Sequence, residues 1–561
     1  MFIALLFILN SDSLTGDSLK SDSIEVYRLS DLVSFGESSP SDSFFYILKS
    51  NHPENYDLSL SDALFCPPLF TLNNVHRLLI FAPFHTDLRL NGHSLGNCFF
   101  GGVNPVLLPI QFLKTVNIKT RNDGKGEYSV ELTSKVYEYE RPFSSIFFTL
   151  LGEDKMYNID FSRALSRNSF IYLSGVYSNF LNRFDALFLK SNSLYTNFYY
   201  NQFIPARFDF FYTTANYDGF LKSTFFDGSL TLGNHKNKMA LLYTLYTDDF
   251  ATDNYDTVIK NTVRKISLCE ESYMKQGDFE LNWGINGTEE FLNSDFYNSQ
   301  DCRYLSLWQD LMKSFSRFLF GISGQWEVDK DKQLNFSPRG FAGSRIYDST
   351  FIIMSVGLSH YKPLISQRLG MPASFYSNYF LNPAPLLKSE KFLVREVQLK
   401  SRHFLLNFYK ADITNYIYYQ YDSIDYYTPR NLDFLPTEGL SGYFQSPVFF
   451  NSLVEFTGNY FFQYSPLLCL PQSYASLTYL WQRKKSRSVI GLGVRFKYAG
   501  ELTGPFGDRY EPFYIISPFI SIRFITLSLS ANLNNSLNQS IPNQNLKGTE
   551  FNIIIKWDFW D

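Results

Sequence analysis

Histidines, cysteines and clustered carboxylates are the residues most able to do chemistry. The chain has seven histidines, at His52, His76, His85, His93, His235, His360 and His403. None stands in HExxH or in any paired metal-ligand spacing. The five cysteines are Cys66, Cys98, Cys269, Cys302 and Cys469. They form no CxxC step, and no histidine is spaced from them like a zinc ligand. There is no GxSxG elbow and no phosphate-binding glycine loop. The acidic runs "EESYMK" and "GTEE" read as solvated loops rather than a calcium site. No catalytic residue, cofactor or metal site is therefore expected, and the chain does not read as an enzyme. The cysteines read as separate thiols. Were any pair to bond, Cys269 with Cys302 would be the first choice, because both flank one polar loop.

What must be explained instead is an unusual surface. Of 561 residues, 18% are aromatic, with 57 Phe and 39 Tyr, and only 19% are charged. Net charge is -4, so no basic excess points to nucleic acid. No run of 18 apolar residues is present, so no transmembrane helix is available. The hydrophobicity must lie in alternation. "FNIIIKWDFWD" shows it: Phe551, Ile553, Ile555, Trp557 and Phe559 are large and apolar, with mixed residues between them, including Trp560. A period of two is a strand with two unlike faces. "VIGLGVRFKYAG" sets Ile490, Leu492, Val494, Phe496 and Tyr498 against Gly491, Gly493, Arg495 and Lys497. "ITLSLSANLNN" sets Ile525, Leu527, Leu529, Ala531 and Leu533 against small polar residues.

A soluble sandwich would show the same faces, but repetition favours a membrane barrel. From residue 140 on, alternating segments recur at ~19 residues each, which is enough for ~22 tilted spans with their connections. A soluble propeller would show a blade-length repeat, and none is seen. Longer polar connections are expected near 284–302, 361–390, 420–438 and 500–512. Aromatic clusters such as "YTNFYYNQF" and "NYIYYQYDSIDYY" suit interface girdles. Before residue 140 the alternation is lost. Residues 21–125 read as a small α/β domain, and 126–561 as the barrel. Residues 1–20 read as an export signal and a polar tract, from the apolar block Phe2 to Leu9, although no Lys or Arg precedes it.

Several stretches resemble one family. "NPAPLLKSEKFLVREVQLKS" is similar to a pattern of TonB-dependent outer-membrane receptors, in which Asn-Pro and Leu-Lys-Pro-Glu are followed by a second Glu in the next strand. Asn382, Pro383, Leu387, Lys388, Glu390 and Glu396 match; Ser389 replaces the family's Pro. "LLNFYKADITNYIYYQ" resembles the strand pair beyond it, through Phe408, Tyr409, Asp412, Ile413 and Ile417. "LSLSANLNNSLNQ" and "FNIIIKWDFWD" look like the last two strands. "LRLNGHSLGNCFFGGVNPVLLPIQFLKTVNIKT" resembles the family's plug. Asn91-Gly92 stands where Asp-Gly is usual, and Pro109, Leu113, Val116 and Ile118 fit the family's next Pro and the strand after it. An Asn-Gly step is also a tight-turn signal on its own.

The resemblance implies an all-β transmembrane barrel of ~22 antiparallel strands with a short α/β plug in its lumen. It implies a place in the bacterial outer membrane, insertion by the barrel assembly machinery, and uptake of a scarce small solute. It also implies a TonB-like periplasmic coupling protein, engaged through a β-prone segment; Ile24, Glu25, Val26 and Tyr27 are the only candidate. A second reading stays open: a passive or structural plugged barrel, of porin type, without energy coupling. The short plug and the weak coupling segment favour it.

Overall fold

Along residues 155–163, buried and exposed positions alternate without a break. Between the end positions Lys155 and Arg163, the exposed residues are Tyr157, Ile159 and Phe161, and the buried ones include Asn158, Asp160 and Ser162. Ile159 is 61% exposed, while its neighbour Asp160 is 1% exposed. The inversion recurs around the molecule: Leu194, Leu241, Ile322, Leu492 and Leu529 lie outside, while Ser174, Thr213, Ser223, Asn407 and Ser530 lie inside. A sandwich in water would bury the apolar set. An apolar outer surface of this extent belongs in lipid.

The computed structural model describes residues 45–49, 69–72, 75–78, 87–99, 107–120 and 128–135. From 142 onward it describes all but 152–153, 182–187, 218–220, 235, 252–257, 316, 331–332, 348–349, 371–379, 402–403, 424–425, 447–450, 469–470, 486–487, 504–508, 535–549 and 561. Twenty-two antiparallel strands, from Phe143–Leu151 to Glu550–Trp560, follow one another around a closed barrel. It closes where Trp560 pairs with Phe143 and Asn552 with Leu151. Closure leaves no strand edge in hydrocarbon. No helix among the described residues is long and apolar enough to cross a membrane.

The faces read from sequence hold in both quoted strands. Phe551, Ile555 and Trp557 are exposed while Asn552 and Asp558 are buried, and Ile490 and Leu492 are exposed beside buried Gly491. One position differs. Ile525 belongs to no strand; with Thr526 it forms the turn between Phe513–Phe524 and Leu527–Asn534, at φ 54°. A β-branched residue is rarely found there, so alternation alone misled.

Two expected connections are also corrected. Residues 284–302 lie mostly in the strands Phe279–Ser294 and Gln300–Phe315, joined at 295–299. Residues 420–438 lie mostly in Phe404–Ser423 and Tyr426–Gln445. A span needs only about 9–11 residues. Strands this long continue beyond the bilayer, where polar side chains imply water but not a loop. The connections 362–389 and 500–512 are found as expected, on the rim opposite Phe143 and Trp560.

Depth gives a test. Leu194 is 46% exposed near the middle of Phe188–Tyr200, whereas Leu527 follows a rim turn. Arginine should cost roughly 2–4 kcal/mol at the first and ~0–1 at the second. Reversible unfolding from lipid vesicles reads both; equal costs would contradict the assigned depths.

The N-terminal residues form a five-stranded sheet in the order Phe45–Lys49, Leu113–Thr120, Tyr128–Ser134, Asp87–Leu90, His93–Ser94. The strand Tyr128–Ser134 thus pairs with this sheet rather than with the barrel. Asn91 and Gly92 make the tight turn, at φ 52° and 88°. The Asn91 side-chain oxygen accepts from the Ser134 N–H at 2.9 Å and its hydroxyl at 3.0 Å. Its own N–H donates to Leu132 O at 2.8 Å. The turn is therefore sewn to the next strand, which needs an amide side chain as well as tolerance of positive φ.

Candidate functional site

The inner wall and the N-terminal domain meet through three sets of contacts. The first is apolar. Leu88, Leu90, Phe112 and Leu132 share one buried cluster with Tyr172, Tyr195, Phe211 and Phe225 of the wall. Phe112 lies edge-on to Phe211 at 5.5 Å and tilted to Tyr195 at 5.7 Å.

The second set centres on Ser134. Its hydroxyl takes a hydrogen bond from Tyr195 at 2.7 Å and from Arg207 at 2.6 Å. Arg207 also forks onto Asp209, at 2.7 and 2.9 Å, and Asn197 donates to the same carboxylate at 2.8 Å. The next residue, Lys135, stands 3.7 Å from Asp160, which also accepts from Tyr172 at 2.9 Å. A period of two explains the convergence: 195, 197, 207 and 209 are inward positions on two paired strands.

The third set centres on Glu290, which is fully buried. One oxygen accepts the Cys98 N–H at 2.6 Å, and the other accepts the Tyr304 hydroxyl at 3.1 Å. Lys265 is 4.0 Å away and donates to the Ser94 and Gly96 carbonyls at 2.8 and 2.7 Å. A buried carboxylate is tolerated only with such partners. The long connection folds inward here: Ile365 N–H donates to Cys98 O and Ser366 N–H to Phe99 O, both at 3.1 Å. Gln367 reaches Tyr419 at 2.9 Å, and the Tyr297 hydroxyl donates to Gly370 O. His93, in the turn region, stays neutral. Burial first, and Lys238 beside it, push its pKa down to about 3.

Sequence reasoning missed these residues. Glu290 belongs to "GTEE", which is strand rather than solvated loop, and "EESYMK" is strand too, with Glu271 bonded to Lys238 at 2.7 Å. An inward charge on a barrel strand looks the same whether it faces water or a plug. Only knowledge of what fills the lumen separates the two.

The family-like residues Asn382, Pro383, Lys388, Glu390 and Glu396 do not gather at this interface. They stitch the far-rim connection to its neighbouring strands. Asn382 donates to Asp422 and Thr428, both at 3.1 Å, and Pro383 packs against Gly370. The Lys388 N–H donates to Asn431 at 2.8 Å. Glu390 caps the Ile417 N–H at 2.6 Å, just past Asn415, whose φ is 56°. Glu396 lies inside, accepting from Ser355 and Asn407 at 3.1 Å and from Arg339 at 3.5 Å. Ile24, Glu25, Val26 and Tyr27 lie outside the described residues.

Cys98, Cys269 and Cys302 are thiols, and the first-choice pair, Cys269 with Cys302, is not formed. Cys269 is level with Asn286, and Cys302 with Glu290. Four positions along the intervening strand, plus two strand spacings, hold them about 16 Å apart, far beyond disulfide reach. Cys66 and Cys469 lie outside the described residues. Among the described residues, no group of three His, Cys, Asp or Glu could hold a metal ion.

The chain is thus a closed barrel of twenty-two strands with a small sheet domain packed against its inner wall. Solved structures share it. A ferric enterobactin receptor mutant of Pseudomonas aeruginosa superimposes with a TM-score of 0.78 at 13% identity, covering 93% of this chain and 100% of that one. The siderophore receptor of Acinetobacter baumannii gives 0.78 at 10% identity, over 92% and 98%. The Serratia marcescens hemophore receptor, solved with its hemophore and heme, gives 0.77 at 11%, over 92% and 99%. No family model and no curated protein matches the sequence.

Proposed function

We propose that this chain is an outer-membrane transporter of TonB-dependent type, which takes up a scarce solute when its plug is shifted by a periplasmic partner. The observation that carries this is the sheet domain seated in the lumen and fastened through Ser134 and Cys98. A barrel that only conducts gains nothing from such a filling, whereas a gate requires one. Much of the fastening is polar, so water that enters can solvate the parted groups, and displacement costs less than it would from an all-apolar seat. The resembling structures are named as receptors for siderophores or heme carriers. An iron chelate is accordingly the proposed solute class, and the bacterial outer membrane the proposed location. The rim bearing Phe143 and Trp560 would face the periplasm.

The passive reading is kept because Ile24 to Tyr27 is the only coupling segment on offer. A photo-cross-linker at Val26 of the full chain, in cells, separates the two. A cross-link to a TonB-like protein that strengthens with ferric chelate supports transport. Absence of any such cross-link in properly inserted protein supports the passive barrel.

A further inference from the structure

We propose that Cys98 of the plug and Cys302 of the barrel wall form a disulfide on reaction with a disulfide donor, locking the plug in its seat. Both are free thiols, and both side chains pack against the same buried cluster where plug meets wall. Cys302 lies directly opposite Glu290 in the sheet register, and Glu290 holds the Cys98 backbone at 2.6 Å. The main chain of Cys98 is thus held one glutamate side chain from the strand position that Cys302 adjoins. Cys98 is also where three parts of the fold meet. Its N–H is held by the wall, its carbonyl receives the Ile365 N–H of the infolded connection, and its side chain packs on the same buried cluster as Cys302. One bond there would pin plug, wall and connection together.

The step balances as thiol–disulfide exchange. One thiolate attacks the donor's S–S bond and expels one donor thiol. The second thiolate attacks the mixed disulfide and expels the other. The two protons lost by the protein thiols are taken up, through solvent, by the expelled donor thiolates, so the donor leaves as two thiols carrying the two electrons. Burial, the neighbouring Cys302 and Glu290 push the Cys98 thiol well above its usual range, so the seated pair reacts slowly. The same burial shields the finished bond from outside reductants. The inference rests on the outer-membrane reading, because that compartment is oxidising. It does not rest on the solute or on the energy partner.

The test uses the full chain in membranes. Thiols are blocked by alkylation before solubilisation, and a non-reducing digest is read by mass spectrometry. Samples are taken before and after oxidised glutathione in mild denaturant, which loosens the plug. The expected result is a Cys98–Cys302 linked peptide that grows with the donor, disappears with dithiothreitol and is absent from Cys302→Ser. Openings seen in planar bilayers under mild denaturant should be at least about tenfold rarer in oxidised protein, because a covalent loop removes most opened states. Cys98→Ser and Cys302→Ser should keep compact, heat-modifiable migration and lose this redox effect. Full alkylation of both cysteines after donor treatment, or linkage of Cys98 elsewhere, overturns the pairing. A linked peptide with unchanged openings overturns the lock. A failed Val26 cross-link leaves both readouts intact, so the two proposals fail separately.

Discussion

Deleting residues 21–135 should leave a barrel that still inserts, and should convert a protein of low conductance into a large open pore in planar bilayers. Every barrel strand lies at or beyond Phe143, and the ring of backbone pairs closes without the deleted segment. The deletion uncovers Tyr172, Tyr195, Phe211 and Phe225, and parts Arg207 and Lys265 from their plug partners. The uncovered rings would lose apolar contact, but the charges would face water rather than an empty interior, and Asp209 and Glu290 remain beside them. Barrel stability should therefore fall only modestly. The infolded connection loses its bonds to Cys98 and Phe99 but keeps those to the wall through Gln367, Gly370 and Asn382. A lumen of twenty-two strands, with nothing seated in it, conducts. Unchanged conductance would show that the N-terminal domain is not the gate, and the transport reading would lose its main support.

The barrel was legible because its signal is repeated. Each strand alone was ambiguous, but repeated spans with the polar set on one face left little room for a soluble fold. Ile525 and the "GTEE" run show where that reading stops. Alternation continues through a two-residue turn as if it were strand, and a polar, acidic segment reads the same as loop or as a strand above the bilayer. The plug turn at Asn91 and Gly92 was legible because local chemistry fixes it. The seat was not. Glu290, Lys265, Arg207 and Tyr195 come from well-separated parts of the chain, and each is an ordinary inward residue until the plug is placed beside it. The Cys98–Cys302 contact is of the same kind: 204 positions separate the two, and local spacing pointed to Cys269 instead.

Removing the four residues Asp558 to Asp561 should abolish the compact, heat-modifiable form of the protein on gels. Glu550–Trp560 holds two neighbours at once, Leu527–Asn534 on one side and Phe143–Leu151 on the other. The truncation deletes the pairings of Asp558 with Ser145, Phe559 with Ser144 and Trp560 with Phe143. It also removes the Asp558 N–H bond to Thr526 O at 3.0 Å, which ties the neighbouring turn to the seam. The backbone groups left bare lie near the rim, on the one pair of strands that must meet last to close the ring, so their loss acts on closure itself. The ring contact of Trp557 with Phe559, centroids 4.6 Å apart, disappears as well. Phe559→Ala in the full-length chain separates the two contributions, since it removes the ring and keeps the backbone pairs. It should slow assembly yet leave compact migration. Normal migration of the truncated chain would mean that the barrel closes through another register, and the seam from Phe143 to Leu151 would have to be redrawn.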